Sequence, residues 1–253
     1  MKETISKYDL IMFDLDGTLT PSKSAIEPAV AEVLGKLIEM KKVAIISGGN
    51  FTQFQNQFIK KLPTTIKMMN NLFIMPVSGS CLYIWNGDWE LQYAENLSPG
   101  EKMIIREALA KSLVEGGYEE PKEIFGMTIE DRGSQITFSA IGQKAPIDIK
   151  KNWDPDRVKR QNITKILAPM VPQFDVVIGG MTSIDITRKG VNKAYGIRKI
   201  EGYLKLGPEK ILFVGDALFE GGNDFPAKST GVDCKQVSGP EETLELIKSW
   251  VAN

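Results

Sequence analysis

The chain has 253 residues, 42% hydrophobic and 25% charged, with 31 basic against 32 acidic side chains. That length allows one large α/β domain or two smaller ones, and a net charge of −1 gives no bulk attraction to nucleic acid or anionic membrane. Two distant cysteines, Cys81 and Cys234, suggest neither a disulfide framework nor a zinc site, and the lack of histidine excludes Ser-His-Asp and Cys-His triads, phosphohistidine chemistry and His-rich metal centres. Catalysis here must rest on carboxylates, lysines, hydroxyls and a hard cation. The opening MKETISKYD has no apolar core of a signal peptide and no run is long enough to span a membrane, so a cytoplasmic protein is expected.

Leu10-Ile11-Met12-Phe13 reads as a strand buried on both faces, and it turns abruptly polar at Asp14-Leu15-Asp16-Gly17-Thr18. Carboxylates at i and i+2 of an extended segment point the same way, which concentrates negative charge at a strand end. Gly17 permits a tight turn or close approach to a ligand, and Thr18 adds a hydroxyl and an N–H. In an open parallel sheet, ligands bind at the carboxyl ends of strands. A bare Asp-x-Asp is more often an acidic turn, whereas the whole string after an apolar strand argues for chemistry.

Residues 26–40 carry Val30, Val33, Leu34, Leu37 and Ile38, the i, i+3, i+4 stripe of an amphipathic helix. Residues 43–46 form a second short buried strand, so strand, helix and strand make a right-handed βαβ unit. This strand ends in Ser47-Gly48-Gly49-Asn50, a structural turn or a phosphate cradle of hydroxyl and free N–H groups. A helix is expected over 51–62 and a strand over 72–75. Residues 82–85 and 90–93 flank Asn86-Gly87, a strong hairpin signal.

The texture then changes. Ser98-Pro99 starts a helix reaching Gly116-Gly117, strands are expected over 124–130, 135–141, 176–178 and 183–187, and a second helix is opened by Asp154-Pro155 and runs toward Met170. This is an α+β unit with a mostly antiparallel sheet. From Gly190 the first texture returns, with a helix over 191–205, a buried strand over 210–214 ending in Gly215-Asp216, a short strand over 234–237 and a closing helix from Pro240 through Trp250. The expected fold is α/β: a Rossmann-like parallel-sheet core of residues 1–93 and 190–253, interrupted by an α+β domain of residues 94–189.

DLDGT, SGG, the Val191-Asn192-Lys193 helix start and GDALFEGGND at 215–224 together resemble the four motifs of the haloacid dehalogenase superfamily. Motif one is Asp14 to Thr18, motif two Ser47, motif three Lys193, and motif four Asp216 with Asn223 and Asp224. Asp14 at an ordinary carboxylate pKa is ionised at neutral pH and is a nucleophile toward phosphorus, while Asp16 can protonate the leaving oxygen and then deprotonate the acceptor. Each close like-charge contact between a phosphate dianion and Asp14, Asp16, Asp216 or Asp224 would cost on the order of 4 kcal/mol at an effective dielectric near 20. A hard divalent cation is therefore required, and Mg2+ suits oxygen ligands. The resemblance implies Asp14, the main-chain oxygen of Asp16 and Asp216 as its ligands, with Asp224 beside them, and Ser47 and Lys193 holding the transferred group.

A narrower resemblance covers nearly the whole chain. DLDGTLTP, RGSQITFSAIG at 132–142, Ile178-Gly179-Gly180 with Ser183-Ile184-Asp185, Gly190 to Lys193, and GGND are similar to the eukaryotic-type phosphomannomutases, which insert a type-IIB cap between motifs two and three. This implies a small sugar phosphate as partner, a homodimer through the cap, and hexose 1-phosphate/6-phosphate interconversion. Arg132, Ser183 and Asp185 match substrate positions, Lys23 stands where a core arginine is usual, and Gly48 and Asn223 are further expected contacts. Gln143 and Lys150 stand where second and third cap arginines are expected, Val77-Ser78-Gly79-Ser80 replaces Glu-Asn-Gly, and motif two reads SGG rather than GGS. Arg grips phosphate bidentately in a way Lys does not. Weaker cap cations thus leave a sugar-phosphate phosphatase as the alternative, with a catalytically silent sugar-phosphate-binding protein as a remote third reading.

Overall fold

A computed structural model gives the fold and describes residues 5–21, 24–63 and 65–252. The chain divides into two compact units, Met1–Ala94 with Asn192–Asn253, and Glu95–Val191. These limits fall one and two residues from those expected. Among the described residues no helix is long and apolar enough to cross a membrane.

The first unit begins with β1 (Leu10–Asp14), α1 (Pro28–Met40), β2 (Lys42–Ile46), α2 (Phe51–Gln57), α3 (Ile66–Asn71), β3 (Leu72–Met75), the single turn α4 (Pro76–Gly79), β4 (Cys81–Trp85) and β5 (Trp89–Ala94). The second unit holds α5 (Pro99–Glu115), β6 (Ile129–Asp131), β7 (Gln135–Ser139), α6 (Ile147–Trp153), α7 (Val158–Met170), β8 (Phe174–Gly179) and β9 (Ser183–Arg188). The chain then returns to the first unit with α8 (Lys193–Leu204), β10 (Ile211–Gly215), β11 (Asp233–Gln236) and α9 (Pro240–Val251).

The first sheet has the order β11-β10-β1-β2-β3-β4-β5. Its first five strands pair in parallel, and the β4–β5 hairpin closes one edge antiparallel. Period-two alternation splits β1 between two cores. Ile11 and Phe13 join Val43, Ile45, Leu212 and Val214 on one face, while Leu10 and Met12 join Ala44, Ile46, Ile211 and Phe213 on the other. The four apolar side chains of β1 are fully buried, each worth about 1.5–3 kcal/mol of transfer free energy. Because β10 and β2 flank β1, with Phe13 level with Val214 and Asp14 level with Ile46, the strand ends at Asp14, Ser47 and Asp216 reach the same edge.

The second unit is a four-stranded antiparallel sheet, β6-β7-β9-β8, backed by helices. Ile136, Phe138, Ile184 and Ile186 pack with Ile105 and Leu109 of α5 and Ile163 and Leu167 of α7. The alternate positions, Gln135, Thr137, Ser139, Ser183, Asp185 and Thr187, make the opposite face polar. Ser98 and Glu101 form the capping box that starts α5.

Several expected elements differ. The helix over 51–62 stops at Gln57 because its carbonyl accepts from Ile26 N (2.9 Å) instead of continuing the helical ladder, and a 3-10 turn follows at Ile59–Lys61. The strand over 124–130 shrinks to Ile129–Asp131: Phe125 N donates to Ile141 O, Lys144 N to Phe125 O, and Gly126 is left-handed, so residues 124–128 loop across the end of β7. The helix expected from Asp154 starts at Val158, and Asp154 caps it from a distance by accepting from Lys159 N (3.0 Å) and Arg160 N (3.3 Å). Two short helices, α3 and α6, have too few turns to show a periodic stripe.

Left-handed backbone marks α4, where Val77 (φ 51°, ψ 52°), Ser78 (φ 56°, ψ 30°) and Gly79 (φ 83°) follow one another. For a non-glycine residue this costs of order 1–3 kcal/mol, with β-branched Val the least suited. The surroundings hold the corner in place. Val77 N donates to Gly49 O (2.9 Å), Ser78 N to Ser47 O (2.8 Å), and Tyr93 Oη to Gly79 O (2.8 Å). A Cβ at Gly79 would lie 2.5 Å from Gly196 Cα of α8, so the two backbones are in direct contact.

Two ion pairs organise the second unit. Buried Arg160 meets Asp154 at 2.6 Å and donates to the carbonyls of Gly179 and Gly180, tying α7 to the β8–β9 turn. Breaking one partner of a buried pair leaves the other charge uncompensated and costs about 3–5 kcal/mol. Arg160→Met is expected to lower stability by about that amount, read from urea unfolding, and an unchanged midpoint would refute the role. Arg188 grips Glu101 with two donors (2.9 and 2.7 Å) and Asn96 O (2.8 Å), which fastens both segments that lead into and out of the unit. The Arg188 guanidinium, with the Ser98 N–H, pulls the Glu101 carboxyl from 4.5 down to about 2. Its contribution is therefore complete above the ordinary value and is lost as pH falls toward 2. The stability gap between wild type and Glu101→Gln should shrink on acidification through that window in pH-dependent denaturation, and a gap constant with pH would contradict this.

Candidate active site

Asp14 ends β1 with only 2% of its surface exposed. Its Oδ1 accepts from Lys193 Nζ at 2.5 Å, while its Oδ2 is buried without a hydrogen-bond partner among the described residues. Lys193 is the first residue of α8, set there by Asn192, whose side chain caps the helix by accepting from Tyr195 N. The same ammonium also donates to Asp224, which is fully buried and accepts from Ala217 N at 3.0 Å through its other oxygen. Asp216, just beyond β10, accepts from the Thr18 hydroxyl at 3.2 Å. Asp14, Asp216 and Asp224 each offer an oxygen within 4.8 Å of the others.

Two glycines make that approach possible. Gly17 has φ +94°, and a Cβ on it would sit 2.7 Å from Asp216 Oδ2; a Cβ on Gly215 would sit 2.4 Å from Asp224 Oδ2. Any side chain at either place would push a carboxylate out of the cluster.

Asp16 stands apart from this group. Its carboxylate accepts from the Ser47 hydroxyl at 3.1 Å, and Ser47 Oγ in turn accepts from Gly49 N at 3.3 Å. The i, i+2 pair thus divides its bonds, Asp14 to Lys193 and Asp16 to Ser47, while the Asp16 charge still reaches Asp14. Strand geometry ends at Asp14, Gly17 N turns back to Thr20 O at 2.7 Å, and Asp16 leaves toward β2. The expectation that Asp14 keeps an ordinary carboxylate pKa is corrected: burial pushes it well up, Lys193 pulls the other way, and the Asp224 and Asp16 charges add to the rise. Asp216 is raised too, by burial and then by Asp224. Burial pulls Lys193 down, but the charges of Asp14 and Asp224 outweigh it, so the ammonium is retained.

One ammonium among Asp14, Asp216 and Asp224 leaves negative charge in excess, and the partnerless Asp14 Oδ2 is an oxygen ligand already desolvated. This donor set fits a hard divalent cation, which would favour the ionised form of Asp14.

In the second unit, Arg132 Nη2 donates to Glu130 Oε2 at 2.7 Å, with both side chains about 5% exposed. The Gln143 amide, in the orientation that satisfies both its ends, donates to the two Glu130 oxygens at 2.7 and 3.1 Å, and Lys150 Nζ donates to Gln143 O at 2.9 Å. Asp185 accepts from Thr137 (2.8 Å), which accepts from Gln135 (2.7 Å), and Ser183 meets Ser139 at 3.2 Å. Arg132 and Gln143 thus meet at Glu130, a residue that sequence reasoning did not single out, and Lys150 bonds the main-chain carbonyl of Gln143. Gln135, Thr137 and Ser139 were missed as well, although the alternation of Gln135-Ile136-Thr137-Phe138-Ser139 carries the signal of a polar sheet face. Asn223 is exposed beside Asp224, Gly48 is half-buried in the Ser47 loop, and Lys23 lies outside the described residues.

The sequence profile of the haloacid dehalogenase-like hydrolases matches residues 11–225. The phosphomannomutase of Spinacia oleracea is 25% identical over 242 residues, covering 93% of both chains, and that of Dendrobium officinale is 26% identical over 250 residues, covering 94% of this chain and 92% of that one. Among solved structures, a haloacid dehalogenase-like hydrolase from Bacteroides thetaiotaomicron is similar with a TM-score of 0.63 at 16% identity over 95% of this chain and 98% of that one. The Plasmodium falciparum IMP-nucleotidase is similar with a TM-score of 0.71 at 19% identity, over 96% of this chain and 61% of that longer chain. With Asp14, Lys193, Asp216 and Asp224 meeting at one sheet edge inside the matched segment, this chain belongs to the haloacid dehalogenase-like hydrolase family and is an enzyme of phosphoryl transfer or phosphate-ester hydrolysis.

Proposed function

We propose that the chain transfers the phosphoryl group of a sugar phosphate through an aspartyl phosphate at Asp14. The single observation that carries this reading is the asymmetry of that carboxylate, with Oδ1 held by Lys193 and Oδ2 buried without a partner. An Asp14 oxygen attacks phosphorus, the ester P–O bond breaks, and Asp16 gives its proton to the departing oxygen. Asp16, now a carboxylate, takes the proton of the acceptor hydroxyl as that oxygen attacks the acyl phosphate and Asp14 departs. Ser47 and the N–H groups of its loop hold phosphate oxygens, and Lys193 keeps Asp14 aligned. Mg2+ is the cation that suits Asp14, Asp216 and Asp224, with the Asp16 carbonyl; when bound it offsets phosphate charge as a Lewis acid.

Similarity to phosphomannomutases over more than nine-tenths of the chain supports a sugar hydroxyl as acceptor, hence hexose 1-phosphate/6-phosphate interconversion. A second reading, hydrolysis by water, is favoured by one observation. A mutase must retain a bisphosphate by its remote phosphate, yet the Arg132 guanidinium is paired with Glu130, and Gln143 fills a position expected to be cationic.

Asp14→Asn should lower turnover of sugar phosphates by about a thousandfold or more with the fold intact, and a variant that keeps its phosphate release would refute the nucleophile. Incubating the protein with Mg2+, mannose 1-phosphate and a trace of hexose bisphosphate separates the acceptors: mannose 6-phosphate supports the mutase, and free phosphate without it supports the phosphatase. Chelation should abolish either activity and Mg2+ restore it, whereas full activity in excess chelator would contradict the cation site.

A further inference from the structure

The left-handed corner at Val77-Ser78-Gly79 has no structural necessity that its sequence satisfies. Glycine or asparagine suits such backbone, yet a β-branched residue and a serine occupy two of its three places. Strained backbone of this kind persists where the surroundings over-determine it and clusters at functional sites. Here both N–H groups of the strained pair are spent on the Ser47 loop, Val77 N on Gly49 O and Ser78 N on Ser47 O. On the other side Gly79 rests on Gly196, one turn into the helix that begins at Lys193. The corner is therefore wedged between two elements that furnish the candidate active site, all within the first unit.

Its effect is to leave one residue of the stretch, a serine, only partly buried. From Leu72 through Leu82 every residue is buried except Ser78. A Cβ built on Gly48 would lie 4.0 Å from Ser78 Oγ, so the hydroxyl stands beside the middle residue of the loop whose Ser47 bonds Asp16. Among the described residues the Ser78 hydroxyl makes no hydrogen bond, whereas Ser47, Thr18 and Thr20 all do.

We propose that Ser78 is a substrate-contacting residue, its hydroxyl donating to a phosphate oxygen alongside Ser47 and the N–H groups of the Ser47–Gly49 loop. The inference rests on the phosphoryl-transfer reading above and extends the phosphate cradle to a residue on a different element. The left-handed backbone at 77 and 78 is what carries a hydroxyl from the end of β3 to the end of β2. A glycine at 78 would keep the corner with less strain and lose the contact.

Two variants separate contact from geometry, read by KM and kcat on a small phosphate monoester and by the inhibition constant of inorganic phosphate, all with Mg2+. Ser78→Gly relaxes the backbone and removes the hydroxyl, and Ser78→Ala keeps the strain and removes the hydroxyl. Both should raise KM and the phosphate inhibition constant about 5- to 20-fold with kcat within about threefold, the signature of lost uniform binding. Thermal stability of Ser78→Gly should equal or exceed wild type. Wild-type kinetics and phosphate inhibition in both variants would overturn the proposal while leaving phosphoryl transfer in place. An effect in one variant alone would assign the role to backbone shape and overturn the contact. A wild-type protein that neither turns over an ester nor is inhibited by phosphate would instead remove the phosphoryl-transfer reading and this inference with it.

Discussion

The Lys193 ammonium, buried between Asp14 and Asp224, is the constraint on which the rest of the first unit depends. It joins the end of the first strand to a helix start 179 residues later and to the loop that follows β10. An ammonium taken out of water without anionic partners is very costly, and so is each carboxylate without it, so these segments must assemble together. Sheet order serves this requirement: placing β10 and β2 on either side of β1 brings three polar strand ends to one edge, and Asn192 sets the helix so that its first residue meets them. Glycine at 17 and 215 removes the atoms that would otherwise fill the cluster.

The same interaction explains the electrostatics. One cation cannot balance Asp14, Asp216 and Asp224, and burial raises the carboxyls of Asp14 and Asp216 above their ordinary range. A second cation bound there would offset that penalty, so ionisation of Asp14 and binding of such a cation would be coupled. Asp16 bonds Ser47 rather than joining the cluster, which suits the proton transfer proposed for it.

Much of this was legible in the residues. β1, β2, β3 and β10 are short apolar runs between polar turns, and the capping box at Ser98 and the Asn86-Gly87 hairpin carry local chemistry that fixes their structure. Asp14, Ser47 and Asp216 stood out because polar groups ending apolar strands are costly unless used, whereas Lys193 and Asp224 were raised by the resemblance of their motifs to those of the superfamily. What was illegible depends on distant partners. The Ile26 bond that ends α2 at Gln57, the reach of Asp154 to the start of α7, and the sequestering of Arg132 by Glu130 are tertiary events with no local period or spacing. The pKa of Asp14 likewise follows from burial and not from its neighbours in sequence. Left-handed Val77 and Ser78 run against local propensity, which is why pattern reading passes over them.

The central claim is that phosphate passes through Asp14, and trapping the covalent intermediate tests it most directly. The Mg2+-loaded protein would be mixed with a sugar phosphate radiolabelled in its phosphate and quenched in acid; one half is digested to find the labelled peptide, and the other is reduced with borohydride, which expels the phosphate of an aspartyl phosphate and leaves homoserine, before peptide mass analysis. The account predicts label in the peptide spanning Leu10 to Thr20 and homoserine at position 14 alone. Turnover with the label on Ser47 or another residue, or turnover with no trapped intermediate at all, would contradict it.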